Sequence, residues 1–371
     1  MDAGWESWIG YSAHEPTAAT QSHIYRIGSK PSTWEHVAET RLFDDHGLAS
    51  RRATHRLVEQ LRREAPDIIH LHIIHGYYLN YRILFDYLNS IDTPVVWTLH
   101  DCWSFTGHCA HFVTAGCDRW RTGCHSCPLK HDYPKSFADR SKRNYLLKRD
   151  LFGKNQNLHI VCVSNWLASF AKESFFSGKD IRVINNGIDL NVFRPLPTVP
   201  HQRFRILGVS NVWYEAKGIY DFYKLRDLLP SDEFEIVLVG LTDRQIKALP
   251  SGITGIGRTK SVEELVSLYS GADVFVNPTY ADSFPTVNIE SLACGTPVVT
   301  YRTGGSPEII DEKTGMVVPQ GDIDSLVLAI KAMRDRADST VRSECRARAE
   351  ALFDKNSRYS EYLALYEELV H

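Results

Sequence analysis

Asp282 and Glu290 stand with seven residues between them in YADSFPTVNIESLACGTPVV (280–299). A carboxylate inside a helix can accept both hydroxyls of a vicinal diol such as a ribose, and one in the loop before it can take hydroxyls of a sugar. Ser283 reads as the N-cap, Pro285 as a first-turn residue and Gly295 as the left-handed C-terminal cap. Backbone N–H groups near Thr286 and Val287 then face outward at the positive helix end, where a phosphate binds readily. Asp282, Phe284, Thr286, Val287 and Glu290 are the candidate contacts of this stretch. Lys217, before Gly218 in GVSNVWYEAKGIYDF (208–222), can reach a diphosphate as a point charge. YRTGGSPEIID (301–311) supplies a second glycine-rich turn, and Arg258 in GIGRTKS offers a further cation. A solvated loop acid, a helix-surface glutamate and two exposed loop cations would give the same spacings.

A second group is rich in soft ligands. Cys109, Cys117, Cys124 and Cys127 lie in CWSFTGHCAHFVTAGCDRWRTGCHSCP (102–128), the last two as a C-x2-C pair. Four thiolates suit a closed tetrahedral structural zinc, with His108, His111 and His125 as spare donors. Reduced packed cysteines, or redox and disulfide chemistry, remain the alternatives. HLHIIHGYYLNY (70–81) carries His72, His75 and Asn80, and WTLHD brings His100 and Asp101 to a strand end. His75, Asn80 and Asp101 are acceptor-side candidates. The plainer reading makes them core or capping groups.

Parallel strands alternating with helices would position these groups. Apolar β-branched runs at 67–74, 94–100, 158–164 and 181–187 form one series, and runs at 204–210, 234–240, 273–279 and 296–301 form another. Helical patterns at 50–64, 78–90, 218–229, 261–271 and 322–335 lie between them. This is the signature of an α/β protein with two Rossmann-like, doubly wound domains. NVFRPLPTVPHQR (191–203) reads as the linker. The expected domains are 1–190, with the cysteine-rich insert 102–127, and 204–354, followed by a C-terminal helix at 355–371 that could cross back to the first domain. The start, MDAGWESWIGYS, reads as a helix end, a turn and a short second strand without the usual glycine-rich turn. The expectation is that one strand-helix unit is missing before it, the alternative being a fold that begins there.

Charge is nearly balanced, 42 Lys and Arg against 45 Asp and Glu, and no basic stripe points to nucleic acid. No apolar run spans a membrane and no signal peptide opens the chain, so the default location is cytoplasmic. KSFADRSKRNYLLKRD (135–150) reads as a solvated helix face, or as a peripheral contact with a membrane surface or a pyrophosphate-linked acceptor.

Asp282-x7-Glu290 with SLACGTPVV and then GGSPEII resembles the donor half of glycosyltransferase family 4 and its E-x7-E pattern. NNGIDLNVF (185–193) is similar to that family's interdomain segment, and VCVSNWLA (161–168) to the strand and turn before it. WTLHDCWSFTGHCAHF with DRWRTGCHSCP is most similar to the colanic-acid and exopolysaccharide branch. The resemblance runs over nearly the whole chain from residue 67 onward. It implies a GT-B fold, two Rossmann-like domains facing a cleft. It also implies retaining transfer of a hexose from a nucleotide-diphosphate sugar, with no required catalytic metal, to a glycan or polyprenyl-linked acceptor. By the same resemblance, Glu290 matches the ribose-binding glutamate, Asp282 the acid on the donor sugar, Lys217 the diphosphate lysine, and His100 a histidine near the reacting sugar. Three departures stand out. Asp282 is one methylene shorter than the family's glutamate, no basic residue stands at Ser210–Trp213, and no glycine-rich loop lies near the N-terminus. Two other functions stay open: a sugar-nucleotide epimerase of the same fold, and a non-catalytic zinc-stabilised binding module.

Overall fold

The computed structural model describes residues 4–12, 20–336 and 339–371. They form two compact units. The first comprises the chain to Cys162, Leu167–Val183 and Tyr366–His371, and the second Val163–Trp166 and Ile184–Leu365.

In the first unit, β1 (Trp8–Tyr11) and β2 (His23–Arg26) pair as a separate two-stranded parallel ribbon. Of the opening stretch 1–12, residues 1–3 lie outside the described residues, and β1 is the short strand within it. Two helices follow, α1 (Lys30–Phe43) and α2 (Arg51–Glu64). Then come β3 (Ile69–Leu71), α3 (Tyr81–Leu88), β4 (Val95–Leu99), α4 (Ser141–Lys154), β5 (Leu158–Cys162), α5 (Asn165–Glu173) and β6 (Asp180–Val183). The four strands β3-β4-β5-β6 make one parallel sheet. Every residue of β4 is buried, which explains its unbroken apolar run: helices cover both faces, so no position alternates to water. Between β4 and α4 the chain has only short 3-10 turns, and this irregular stretch holds the cysteines.

The second unit runs β7 (Phe204–Val209), α6 (Ile219–Leu228), β8 (Phe234–Val239), α7 (Asp243–Lys247), β9 (Ile253–Ile256), α8 (Val262–Ser270), β10 (Val274–Asn277), α9 (Thr286–Ala293), β11 (Val298–Tyr301), α10 (Ser306–Ile309), β12 (Gly315–Val318) and α11 (Ile323–Asp335). Helix α12 (Ser339–Leu352) follows, and α13 (Lys355–Val370) ends within the first unit. There Tyr366 meets His70 and Arg182 pairs with Glu368. The sheet order is β12-β11-β10-β7-β8-β9, all parallel. Counted from β7, this is the dinucleotide-fold order, and its direction of winding reverses between β7 and β10. Ligands of such sheets bind in the crevice outside the carboxyl ends of those two strands. Ile206, Leu207, Ile236, Val274, Phe275 and Val298 are all fully buried, so the crevice has a rigid floor.

Candidate active site

The crevice between β7 and β10 holds a cavity of about 240 Å³. Its wall includes Ser210 and Trp213 after β7, Lys217, Asn277 at the end of β10, and Asp282 with Phe284 to Val287. Lys217 Nζ donates to Asp282 Oδ2 at 2.9 Å, and the two side chains are 27% and 23% exposed. A larger cavity of about 630 Å³ lies beside α1 and α2 in the first unit. It lies where β2 ends, outside the four- and six-stranded sheets, and mixes arginines with Glu35 and Glu39, so the smaller cavity is the better candidate.

Glycines fix the two loops. Gly218 has φ +74°, and a Cβ there would stand 2.3 Å from the Pro278 carbonyl oxygen. Gly304 has φ +53° and would place a Cβ 1.6 Å from the Asp282 carbonyl oxygen. Only residues without a side chain let these backbones approach so closely. Tyr280 N–H donates to the Ala216 carbonyl at 2.8 Å, and Gly305 N–H to that of Ser283 at 3.0 Å. The lysine turn, the Asp282 loop and the Gly304-Gly305 turn are thus tied together.

The helix begins later than expected. Ser283 is not the N-cap. Pro285 takes that place with no side-chain hydrogen bond, and α9 starts at Thr286. The Asp282 carboxylate is drawn back to accept the Phe284 N–H at 3.3 Å, and the Ser283 hydroxyl is buried without a partner. The uncapped first-turn amides at Thr286 and Val287 therefore face the cavity with no side chain of their own helix to satisfy them. Glu290 lies one turn deeper and is not part of the cavity wall. Tyr269 Oη donates to its Oε2 at 3.0 Å. Burial raises its carboxyl pKa, and bonds from Tyr269 and Thr286 partly offset the rise. Arg258 is exposed in the loop after β9. With β8 between β9 and β7, it stands about 10 Å from the crevice, and the structure does not bring it to the cavity.

The strand ends of the first unit carry a different group. His100 Nε2 and His72 Nδ1 stand 3.1 Å apart and share one proton. His75 Nε2 meets Asp101 Oδ2 at 3.1 Å, and Tyr133 approaches its Nδ1 at 3.2 Å. Burial opposes the Asp101 charge, but His75 and the Trp103 N–H hold its pKa down at about 2. Asn80 is occupied otherwise. It is the N-cap of α3, accepting the Ile83 N–H at 3.1 Å and donating to the Leu48 carbonyl. Sequence reasoning missed His46, which is buried with both ring nitrogens unpartnered and packed against His75, Tyr77, Tyr133 and Trp103. It also missed Lys148. The basic helix 135–150 was expected to present a solvated face, yet Lys148 is buried and donates to the Trp103 and Thr106 carbonyls at 2.6 and 3.0 Å. A histidine between Asp45 and Gly47 and one lysine among many carry no local signal of burial.

The structure gives the four-thiolate zinc set no support. Among the described residues, no group of three or more His, Cys, Asp or Glu is gathered as around a metal ion. Cys109 and Cys127 share a side-chain hydrogen bond, which raises the Cys109 pKa and lowers that of Cys127.

The sheet order of the second unit, its crevice and the parallel α/β build of the first define the GT-B class of glycosyltransferase folds. Solved structures agree. Sucrose-phosphate synthase from Thermosynechococcus elongatus superposes with TM-score 0.71 at 19% identity, over 99% of this chain and 90% of that one. Anabaena Alr3699/HepE in complex with UDP gives TM-score 0.63 at 16% identity, over 94% and 86%. Residues 12–192 match the model described as Glycosyltransferase Family 4, and residues 203–335 match that described as Glycosyl transferases group 1. The chain belongs to these glycosyltransferases. It is 27% identical, over 90% of its own length and 84% of the relative's, to WcaC of Escherichia coli (strain K12), provisionally named a colanic acid biosynthesis glycosyl transferase. It is also 27% identical, over 57% of this chain and 54% of the relative, to the MMP alpha-(1->4)-mannosyltransferase of Mycolicibacterium hassiacum.

Proposed function

We propose that this enzyme transfers a hexosyl group, with retention, from a nucleotide-diphosphate sugar to a hydroxyl of a glycan or polyprenyl-linked acceptor in exopolysaccharide assembly. The observation that carries the reading is the crevice cavity with Lys217, Asp282 and the uncapped α9 amides around it. The likeness to WcaC and to the UDP-bound Anabaena structure supports it.

The diphosphate sits between Lys217 and the Thr286–Val287 amides. As the anomeric C–O bond breaks, negative charge grows on the leaving phosphate, and a fixed cation and helix end stabilise it without reorganising. The acceptor oxygen bonds to the anomeric carbon on the same face. Its proton passes to the departing phosphate oxygen, so the step needs no separate base. Lys217 must turn from Asp282 to the diphosphate. The pair is partly exposed, so opening it costs about 1 kcal/mol or less. Asp282 is then free to accept a sugar hydroxyl, and Glu290 a ribose hydroxyl through the oxygen that Tyr269 leaves open. His100 is the candidate histidine of the acceptor side, and His75 and Asp101 are further candidates in the same unit. The segment 135–150 gives the enzyme a peripheral contact with the cytoplasmic membrane face.

A panel of nucleotide sugars, with and without a polyprenyl-linked oligosaccharide, tests this. Acceptor-dependent release of nucleoside diphosphate and a product anomer matching the donor are expected. Epimer formation without nucleotide release would overturn the transferase reading in favour of an epimerase. Failure of every sugar nucleotide to raise the melting temperature would leave a binding module.

A further inference from the structure

His108 is buried, with no side-chain exposure, and its Nδ1 lies 2.6 Å from Asp44 Oδ1. A carboxylate at that distance accepts a hydrogen bond from the Nδ1–H and fixes the tautomer, leaving a lone pair on Nε2. Nε2 has no hydrogen-bond partner. It lines a small cavity of about 10 Å³ whose wall also holds Cys109, Cys117, Cys124 and Cys127. That volume suits one atom-sized occupant. Asp44 is itself held in place: its Oδ2 accepts the Arg140 N–H at 2.7 Å, and its backbone carbonyl accepts from Asn144 at 2.7 Å.

The thiols around the cavity are already prepared as acceptors. Cys124 Sγ accepts the Gly107 N–H at 3.2 Å. A Cβ on Gly107 would stand 2.1 Å from the Ser141 carbonyl oxygen and 2.7 Å from the Cys124 Cβ, so only glycine brings that amide to the sulfur. Cys127 is turned by Ser126, which has φ +45°, a left-handed residue inside the C-x2-C loop. Cys109 and Cys127 are hydrogen-bonded to each other. Nearby, the Lys148 amine is buried against Trp103; burial lowers its pKa to about 7, and the Asp101 and Asp44 carboxylates partly offset that fall. A buried cation needs an anion close by.

We propose that this cavity binds one zinc ion through His108 Nε2 and the thiolates of Cys109, Cys124 and Cys127, with Asp44 positioning the imidazole and Lys148 facing the site's net negative charge. The side chains are not yet gathered round one point. Each cysteine has a single side-chain torsion, and moving between its staggered wells displaces the sulfur by about 3 Å. Binding breaks three S–H bonds and forms three Zn–S bonds and one Zn–N bond. The three protons go to solvent and nothing is oxidised or reduced. The complex carries one net negative charge, which the single Lys148 ammonium offsets. Four protein ligands close the site, so its role is to order an insert that has almost no regular structure of its own.

The test uses the whole chain, purified without chelator, and reads metal rather than transfer, so its outcome is separate from that of the proposed function. Elemental analysis is expected to find about one zinc per chain, released stoichiometrically when a mercurial blocks the thiols. Less than about 0.2 zinc per chain, with no uptake on adding zinc to the reduced protein, would overturn the proposal. Cobalt exchanged into the wild-type protein should show a thiolate charge-transfer band and the intense visible bands of a tetrahedral site, and their absence would also overturn it. Cys127→Ser and His108→Ala should each lose the metal. Full retention of zinc by folded His108→Ala would remove His108 from the ligand set. If either variant fails to fold, the cobalt spectrum and zinc stoichiometry of the wild-type chain still decide the question.

Discussion

At the carboxyl ends of β7 and β10 the groups facing the crevice are a lysine, an aspartate and the bare amides of α9. At the carboxyl ends of β3 and β4 they are mostly imidazoles, with Asp101 the carboxylate among them. The second unit keeps its charges at a partly wet surface, where Lys217 and Asp282 hold each other until a ligand takes them. The first unit crowds its rings together, with His46 and His75 buried, His70 and His100 half-buried and His72 exposed. Desolvation lowers the His70 pKa to about 3, with His72 and His100 adding to the effect, and burial likewise lowers that of His100. The two strand-end regions are therefore suited to different partners. One can hold a diphosphate, and the other can offer neutral donors and acceptors to hydroxyls without paying to desolvate a cation.

The sharpest way to break this contrast is Lys217→Ala. If the second unit supplies the positive charge for the leaving group, kcat/KM should fall by about 10²–10³, as on loss of one preorganised transition-state contact. Steady-state nucleotide release measures it, and a loss under about threefold would place the charge elsewhere.

Next in size is the pH response of the first unit. Burial lowers the His36 pKa to about 4 and puts that of His46 well below its ordinary value of 6.5. Both are neutral in the folded chain, and His36 Nε2 needs its lone pair to accept the Gly47 N–H at 3.0 Å. Stability from such a group is fully present above the unfolded value of 6.5 and is lost as pH falls toward the folded value. His36 alone contributes about 3 kcal/mol between pH 6.5 and about 4. Thermal unfolding of the whole chain should show the melting temperature dropping over that window. His36→Gln should flatten the drop.

A smaller effect separates depth from wall within the second unit. Glu290→Gln should weaken nucleotide binding by about tenfold, roughly 1.4 kcal/mol, while Asp282→Ala should lower turnover more than nucleotide affinity. Calorimetric titration of the nucleoside diphosphate against both variants distinguishes them, and equal affinity in all three proteins would sink the division of roles. The smallest effect is Asn80→Ala. Loss of the α3 N-cap should cost about 1 kcal/mol of stability, and KM for the acceptor should stay unchanged. A raised KM with an unchanged melting temperature would return Asn80 to the acceptor side.

The alternation of apolar runs and helical patterns was enough to place most strands and the helices 51–64, 219–228, 262–270 and 323–335 to within a few residues. β9 and β12 are four residues long and each contains a glycine, and their sequences, ITGI and GMVV, read as strands only once a neighbour supplies the ladder. α1 begins with Lys-Pro-Ser-Thr and lacks a clear apolar stripe, so periodicity could not find it.

Composition and spacing by themselves determined the α/β class, the lysine-glycine turn, the acid pair and the cysteine-rich insert, because each is written in neighbouring residues. The tertiary structure alone decided which of these meet. Lys217 and Asp282 are 65 residues apart and touch because β7 and β10 are adjacent at the reversal of the sheet. Asp44 and His108 are 64 apart, and their contact fixes which ring nitrogen stays free. Arg258 stands outside the crevice because β8 separates its strand from β7. Local sequence sets propensity and period, whereas strand order sets distance, and the chemistry depends on distance.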